Sequence, residues 1–276
     1  MEPKLHRRVQ RYGWDRAVED YDRYFVPVLL QCSERVLALL DLKPGERVLD
    51  VATGPGPAAL PAAEIVGPEG VVVATDIAEK MVETVRARAE ERGLRNMEFK
   101  RADAEELDFP DNSFDAVMCV LGLMFPADPQ RAIEEMYRVL KPGGRLAVCV
   151  WGKRQNCGWA EIFPIVESRV ESDVCPLFFQ LGGEGAMAYA FEKAGFKLKH
   201  EERVSRALDF PGEKEMLIAV FEGGAVAMAY SRFSDEVREQ ANREFLESVA
   251  LYKRDASNGG VAYSLPGEFV FAVGRK

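Results

Sequence analysis

Apolar runs that alternate with helix-patterned segments constrain this chain more than any other feature. The runs fall at residues 47–51, 71–75, 114–121 and 145–151, with a mixed third strand segment at 97–101 and amphipathic stretches at about 57–66, 79–92 and 129–140 between them. Gly67-Pro68-Glu69-Gly70, Gly93, Asp111-Asn112-Ser113 and Lys141-Pro142-Gly143-Gly144 punctuate the alternation with turns. Such a pattern predicts a doubly wound α/β fold, a mostly parallel sheet covered by helices on both faces. Right-handed crossovers then bring the C-terminal ends of the strands to one edge, where open α/β sheets bind their ligands. Three acids fall at or just past the ends of the first three strand segments: Asp50, Asp76 and Asp103.

Asp50 opens the segment Val48-Leu49-Asp50-Val51-Ala52-Thr53-Gly54-Pro55-Gly56-Pro57-Ala58, the pattern of a first strand, a tight turn and a helix N-terminus. A carboxylate at that turn repels a pyrophosphate and attracts an ammonium group. Pro55 and Pro57 carry no amide hydrogen, which removes donors that phosphates would use. Yet Gly54-x-Gly56-x-x-Ala59, with Asp76 twenty residues past Gly56, also satisfies the dinucleotide fingerprint. A nicotinamide-dependent oxidoreductase therefore stands as the alternative, and a non-catalytic cofactor-binding module as a second.

The chain has 276 residues, 47% of them hydrophobic and 29% charged, enough for one large domain with a cap. A net charge of −9 and the lack of a basic run argue against a nucleic-acid partner. Cys32, Cys119, Cys149, Cys157 and Cys175 are scattered without a C-x-x-C pair, which fits a reducing compartment and no metal site. No apolar stretch is long enough to span a bilayer, and residues 1–10 lack the apolar core of a signal peptide. The expected location is the cytoplasm; the oligomeric state is not readable. Of the two histidines, His6 is expected to be exposed in a charged tail and His200 to be structural or superficial.

Trp14, Ala17, Val18, Tyr21, Tyr24 and Phe25 recur at helical spacing within residues 12–40, interrupted by Pro27. This predicts an N-terminal helical lid over residues 1–42. A main domain over 43–276 follows, with a helical cap inserted at 211–264 before the last strand.

The motifs, in this order, resemble those of the class I S-adenosylmethionine-dependent methyltransferases, in particular the ubiquinone and menaquinone C-methyltransferases. The first is the Val48–Gly56 segment; the second is Asp103-Ala104-Glu105-Glu106-Leu107 with Phe109-Pro110-Asp111-Asn112-Ser113-Phe114-Asp115; the third is Arg138-Val139-Leu140-Lys141-Pro142-Gly143-Gly144-Arg145-Leu146. The resemblance covers about residues 10–155. It implies a seven-stranded Rossmann-like methyltransferase fold, S-adenosylmethionine as cofactor, S-adenosylhomocysteine as product, and methyl transfer to a small apolar or aromatic metabolite. Where the family has glycine this chain has Ala52, a replacement the quinone-modifying branch tolerates.

Carried over residue by residue, the resemblance makes Asp50 the partner of the cofactor's ammonium, beside the Ala52, Gly54 and Gly56 backbone. Asp76 would accept the ribose hydroxyls, Ile77 and Met81 flank the adenine, and Asp103 with Ala104 read its amino group. Cys119 and Val120 would line the methionine side, and Tyr21 would close over it. Phe125, Trp151, Trp159 and Phe178 are expected to wall the substrate pocket. No catalytic base is assignable, and neither is the atom that receives the methyl group.

Overall fold

Residues 3–170, 178–255 and 260–276 are described by a computed structural model; Cys175 lies outside them. Five strands pair in parallel at its centre: β1 (Arg47–Val51), β2 (Val71–Asp76), β3 (Met97–Arg101), β4 (Phe114–Val120) and β5 (Leu140–Trp151). β6 (Lys197–Phe210), the short β7 (Lys253–Asp255) and β8 (Val261–Arg275) complete the sheet. Its order is β3-β2-β1-β4-β5-β8-β6, with β8 antiparallel to β5 and to β6, and β7 hydrogen-bonded to β8. The seven expected strands are thus joined by an eighth, β7, too short and too charged to carry a strand pattern.

Val72, Val73 and Ala74 on β2, Val117 and Met118 on β4 and Leu146 to Val150 on β5 are buried. Such near-continuous apolar runs are stable where helices cover both faces of a sheet. Five helices matter to the site: α1 (Pro3–Asp20), α2 (Val26–Leu40), α3 (Ala59–Val66), α4 (Glu79–Glu91) and α5 (Pro129–Val139). In α5, Pro129 occupies the first turn and the Asp128 side chain accepts from the Arg131 amide at 3.0 Å, while Ala132, Ile133, Met136 and Val139 turn inward.

The N-terminal helix starts at residue 3 rather than 12, and Pro27 does not break it. Proline lacks an amide hydrogen and crowds the carbonyl four residues back. The chain accommodates this with a π-helical turn at Tyr21–Phe25, closed by Val26 N–H donating to the Tyr21 carbonyl, and α2 then continues with Pro27 in its first turn. Between β6 and β8 the chain forms short helical turns and one longer helix, Asp235–Ser248. The turn at Ala227–Tyr230 packs on α1. No described helix is long and apolar enough to cross a membrane.

Candidate active site

The strand order reverses between β1 and β4, and a crevice opens at the sheet edge beside the loops that leave those strands. Two non-glycine residues in the left-handed region flank it: Ala52 (φ 57°) after β1 and Leu121 (φ 55°) after β4. Backbone strain of this kind persists where the surrounding structure enforces it. After β1, the Thr53 amide donates to the Thr75 carbonyl at 2.8 Å, Gly54 to Asp76 Oδ2 at 2.9 Å and Gly56 to the Thr53 carbonyl at 3.1 Å. After β4, the Leu121 amide still donates to Cys149 at 2.8 Å, and Phe125 closes a turn onto Gly122 at 3.1 Å. A β-carbon on Gly122 would lie 2.6 Å from that of Ala52 and 2.7 Å from Cys119 Sγ, so the two loops meet only because glycine is there.

The crevice holds two connected chambers. The outer, about 740 Å³ with its open mouth, is lined on the sheet side by Asp76, Ile77, Met81, Asp103 and Ala104. The inner, about 400 Å³ with its opening, ends at Asp50, Thr53 and Pro57 below Leu29 and Ser33 of α2. Tyr21, Ala52, Gly54, Val120 and Leu121 line both and mark the junction.

Both buried acids are electrostatically uncomfortable as they stand. Asp50 is 1% exposed and accepts one side-chain hydrogen bond, from Thr53 Oγ1 at 2.7 Å. Burial lifts its carboxyl to about 7, against the pull of that hydroxyl, and the nearby Asp76 carboxylate adds to the rise. Asp76 is lifted by burial to about 6, opposed by amides that include Ala78, at 2.9 Å from Oδ1, and Gly54. A cation in the inner chamber would reverse the first effect by favouring the ionised form of Asp50.

The roof comes from α1. His6, Gln10 and Trp14, with Arg7 beside them, recur at three- and four-residue spacing and face the outer chamber, a stripe that Tyr21 extends past the helix end. His6 is 5% exposed, contrary to the expectation of a surface position, and its Nε2 hydrogen-bonds the Phe125 carbonyl at 2.7 Å. Arg7 pairs with Asp103 at 2.8 Å and with Glu105 at 2.9 Å. Asp15 accepts from the Lys80 amide at 2.9 Å, and Arg88 ties Asp22 to the Pro55 carbonyl. Trp14 meets Phe125 edge-on at 4.9 Å and Tyr21 at 5.2 Å. The sequence signal available for this was the helical spacing of His6, Gln10 and Trp14; the charge density around His6 masked it.

The structure gathers Tyr21, Asp50, Ala52, Gly54, Asp76, Ile77, Met81, Asp103, Ala104 and Val120 around the two chambers. It corrects the placement of five others. Gly56 (φ 91°) lines neither chamber: its missing side chain lets the loop pack on α4, where a β-carbon would lie 2.5 Å from Val85. Cys119 is fully buried under Gly122. Phe125 lines the outer chamber, but Trp151, Trp159 and Phe178 are core residues, with ring centroids 4.7 Å apart for the tryptophans and 5.4 Å for Trp159 and Phe178. Large aromatic side chains placed over strand ends bury one another before they wall a cavity.

Residues 48–144 match the methyltransferase domain family. A ubiquinone/menaquinone biosynthesis C-methyltransferase from Pseudomonas entomophila is 46% identical over 121 residues, 44% of this chain and 47% of the relative. The same enzyme from Teredinibacter turnerae is 33% identical over 173 residues, 62% of this chain and 68% of the relative. The chain spans about half the length of the first of these relatives. A crystal structure of an S-adenosylmethionine-dependent methyltransferase from Aquifex aeolicus superposes with a TM-score of 0.52 at 26% identity, covering 67% of this chain and 89% of that one.

Proposed function

The chain belongs to the class I S-adenosylmethionine-dependent methyltransferases, and we propose that it methylates a small aromatic acceptor of the quinol type. The observation that carries this reading is the pairing of a buried, weakly compensated carboxylate with a loop whose amides are engaged inside the protein. Thr53, Gly54 and Gly56 all donate to protein oxygens, and Pro55 and Pro57 have nothing to donate. That loop is a poor cradle for a pyrophosphate, whereas Asp50 suits a ligand that brings its own cation.

The residues fit S-adenosylmethionine in order along the cleft. Asp50 in the inner chamber would hold the amino-acid ammonium, with Gly54 and Ala52 beside it. Asp76, in the outer chamber, would accept the ribose hydroxyls, and Ile77, Met81, Asp103 and Ala104, which line the same chamber, would hold the adenine. The bound cofactor supplies an electrophilic methyl group on a sulfonium. Tyr21, Val120 and Leu121, which line both chambers, would exclude water there and orient the acceptor.

The acceptor class draws on the relatives, whose names place them in ubiquinone and menaquinone biosynthesis. Trp14, Phe125 and Leu121 give this chain an apolar wall suited to an aromatic ring. A small molecule, rather than a nucleic acid, is also what a chain of net charge −9 suits best.

Calorimetry with S-adenosylhomocysteine and with NADH separates the two enzyme classes. Binding of the first alone is expected; binding of NADH alone would overturn the reading. Turnover of a water-soluble demethylated quinol with labelled S-adenosylmethionine then tests the acceptor.

A further inference from the structure

The roof helix has a second face, and its charge is distributed oddly for a helix. Residues 4–12 contain Lys4, His6, Arg7, Arg8 and Arg11 and no acid; the next acid is Asp15. The first turn of α1 has no acidic residue. Cations therefore sit at the positive end of the helix dipole, where they oppose the helix rather than support it.

Arg7 finds its anions inside the protein, at Asp103 and Glu105. Lys4 and Arg8 are exposed and form no ion pair or side-chain hydrogen bond among the described residues. Arg11, half-buried, lies 5.5 Å from the centre of the Tyr12 ring and forms no ion pair among the described residues. Two large apolar side chains are interleaved with them in the open: Leu5 at 47% exposure and Tyr12 at 51%. At 100° per residue, Lys4, Leu5, Arg8 and Tyr12 share one side of the helix, opposite the His6, Gln10 and Trp14 stripe that roofs the cleft.

We propose that this outer face of α1 docks the protein onto an anionic lipid bilayer. Unpaired cations meet the charged headgroups, while Leu5 and the amphipathic Tyr12 ring enter the boundary beneath them. A phosphate polymer would use the cations but give Leu5 nothing to bury against. The same side of the helix turns acidic further along, at Asp15 and Glu19, so the attraction is confined to its first turns. The choice of a bilayer rests on the quinol reading, because the same helix covers the cleft and docking brings the cleft to the surface that holds a lipophilic acceptor.

Sedimentation of the full chain with vesicles tests this directly. Binding is expected to vesicles of phosphatidylcholine with roughly one-third phosphatidylglycerol, not to phosphatidylcholine alone, and to be lost near 0.5 M salt, at roughly a 4 Å screening length. Lys4→Glu with Arg8→Glu should weaken it about tenfold or more. Leu5→Ser with Tyr12→Ser should weaken it without changing its salt dependence. S-adenosylhomocysteine binding, measured on the same variants, should stay at the wild-type value and show that fold and cleft are intact. Equal partition onto neutral vesicles, no partition at all, or binding to heparin or duplex DNA but not to vesicles would overturn the proposal. Failure of methyl transfer to a soluble quinol would sink the activity reading and leave the vesicle result standing.

Discussion

Floor and roof enclose one cleft, but they are held by different kinds of contact. The floor is built on the strand ends themselves: Asp76 takes the backbone amides of Gly54 and Ala78, and Asp50 takes the hydroxyl of Thr53, three residues on. The roof depends on side chains reaching far along the sequence, 119 positions for His6 to Phe125 and 98 for Arg7 to Glu105. A sheet-anchored floor unfolds only with the sheet, whereas α1 is held from outside the sheet, by a small apolar patch of Val18 on Ala78 and Met81 and by a few polar contacts, and can open with the sheet intact. The difference predicts that floor substitutions change stability and affinity together, and that roof substitutions change the rate of ligand exchange.

Asp76→Ala is expected to have the largest effect. It leaves the Gly54 and Ala78 amides without their acceptor in a buried place, at about 1–3 kcal/mol for each unsatisfied group, partly offset by removal of a buried charge. A net loss of about 1–3 kcal/mol in urea titrations is the expected result. Affinity for S-adenosylhomocysteine should fall about tenfold or more with the loss of charge-assisted hydrogen bonds. Unchanged affinity would remove Asp76 from the site.

Asp50→Asn separates the two functions of the floor, because here stability and binding move in opposite directions. The folded-state carboxyl titrates near 7, above its ordinary value of about 3.9, so the folded protein holds the extra proton between those values. Stability from this group is complete below about pH 4 and is lost as pH rises through 7. The asparagine variant should therefore be more stable than the wild type by about 1–3 kcal/mol at pH 8, with the advantage gone near pH 4. Wild-type affinity for S-adenosylhomocysteine should weaken as pH drops below 7, while the variant binds weakly and keeps only the fall near pH 6 that protonation of Asp76 brings. A parallel pH profile in both proteins would mean that Asp50 does not meet the ammonium.

The same contrast explains what could be read in the sequence. Asp50, Asp76 and Asp103 were legible because each falls at or just past the end of a strand segment, and the strand register carries all three to one edge whatever the rest of the chain does. The burial of His6 was not, since it depends on a carbonyl 119 residues away. The helix start at residue 3 was hidden by charges that its two faces share between cleft and solvent. Trp151, Trp159 and Phe178 misled for a related reason: residue type predicts burial well, but not whether the buried ring borders a cavity or another ring.

Arg7→Ala addresses the roof. Its pairs with Asp103 and Glu105 are a third exposed on the arginine side, so stability should change by about 1 kcal/mol or less. The release rate of S-adenosylhomocysteine, followed by stopped-flow displacement, should rise several-fold. A large loss of stability with no change in release would make α1 part of the scaffold rather than a roof.

Ala52→Gly gives the smallest single effect and the closest look at how the two loops fit. Glycine removes a left-handed strain of about 1–2 kcal/mol but adds about 0.5–1 kcal/mol of unfolded-state entropy and loses a methyl contact. The net change should be about 0.5 kcal/mol or less, within a degree or two of melting temperature. The informative quantity is its coupling to Gly122→Ala. In the wild type that new β-carbon would lie 2.6 Å from the Ala52 methyl and 2.7 Å from Cys119 Sγ. In the Ala52→Gly background the first of those clashes is gone, and the cost of Gly122→Ala should fall by about 1 kcal/mol in a double-mutant cycle. Equal costs in both backgrounds would show that the buried Cys119 alone sets the distance between the two loops, and that the alanine this chain has in place of the family's glycine is indifferent to its neighbour.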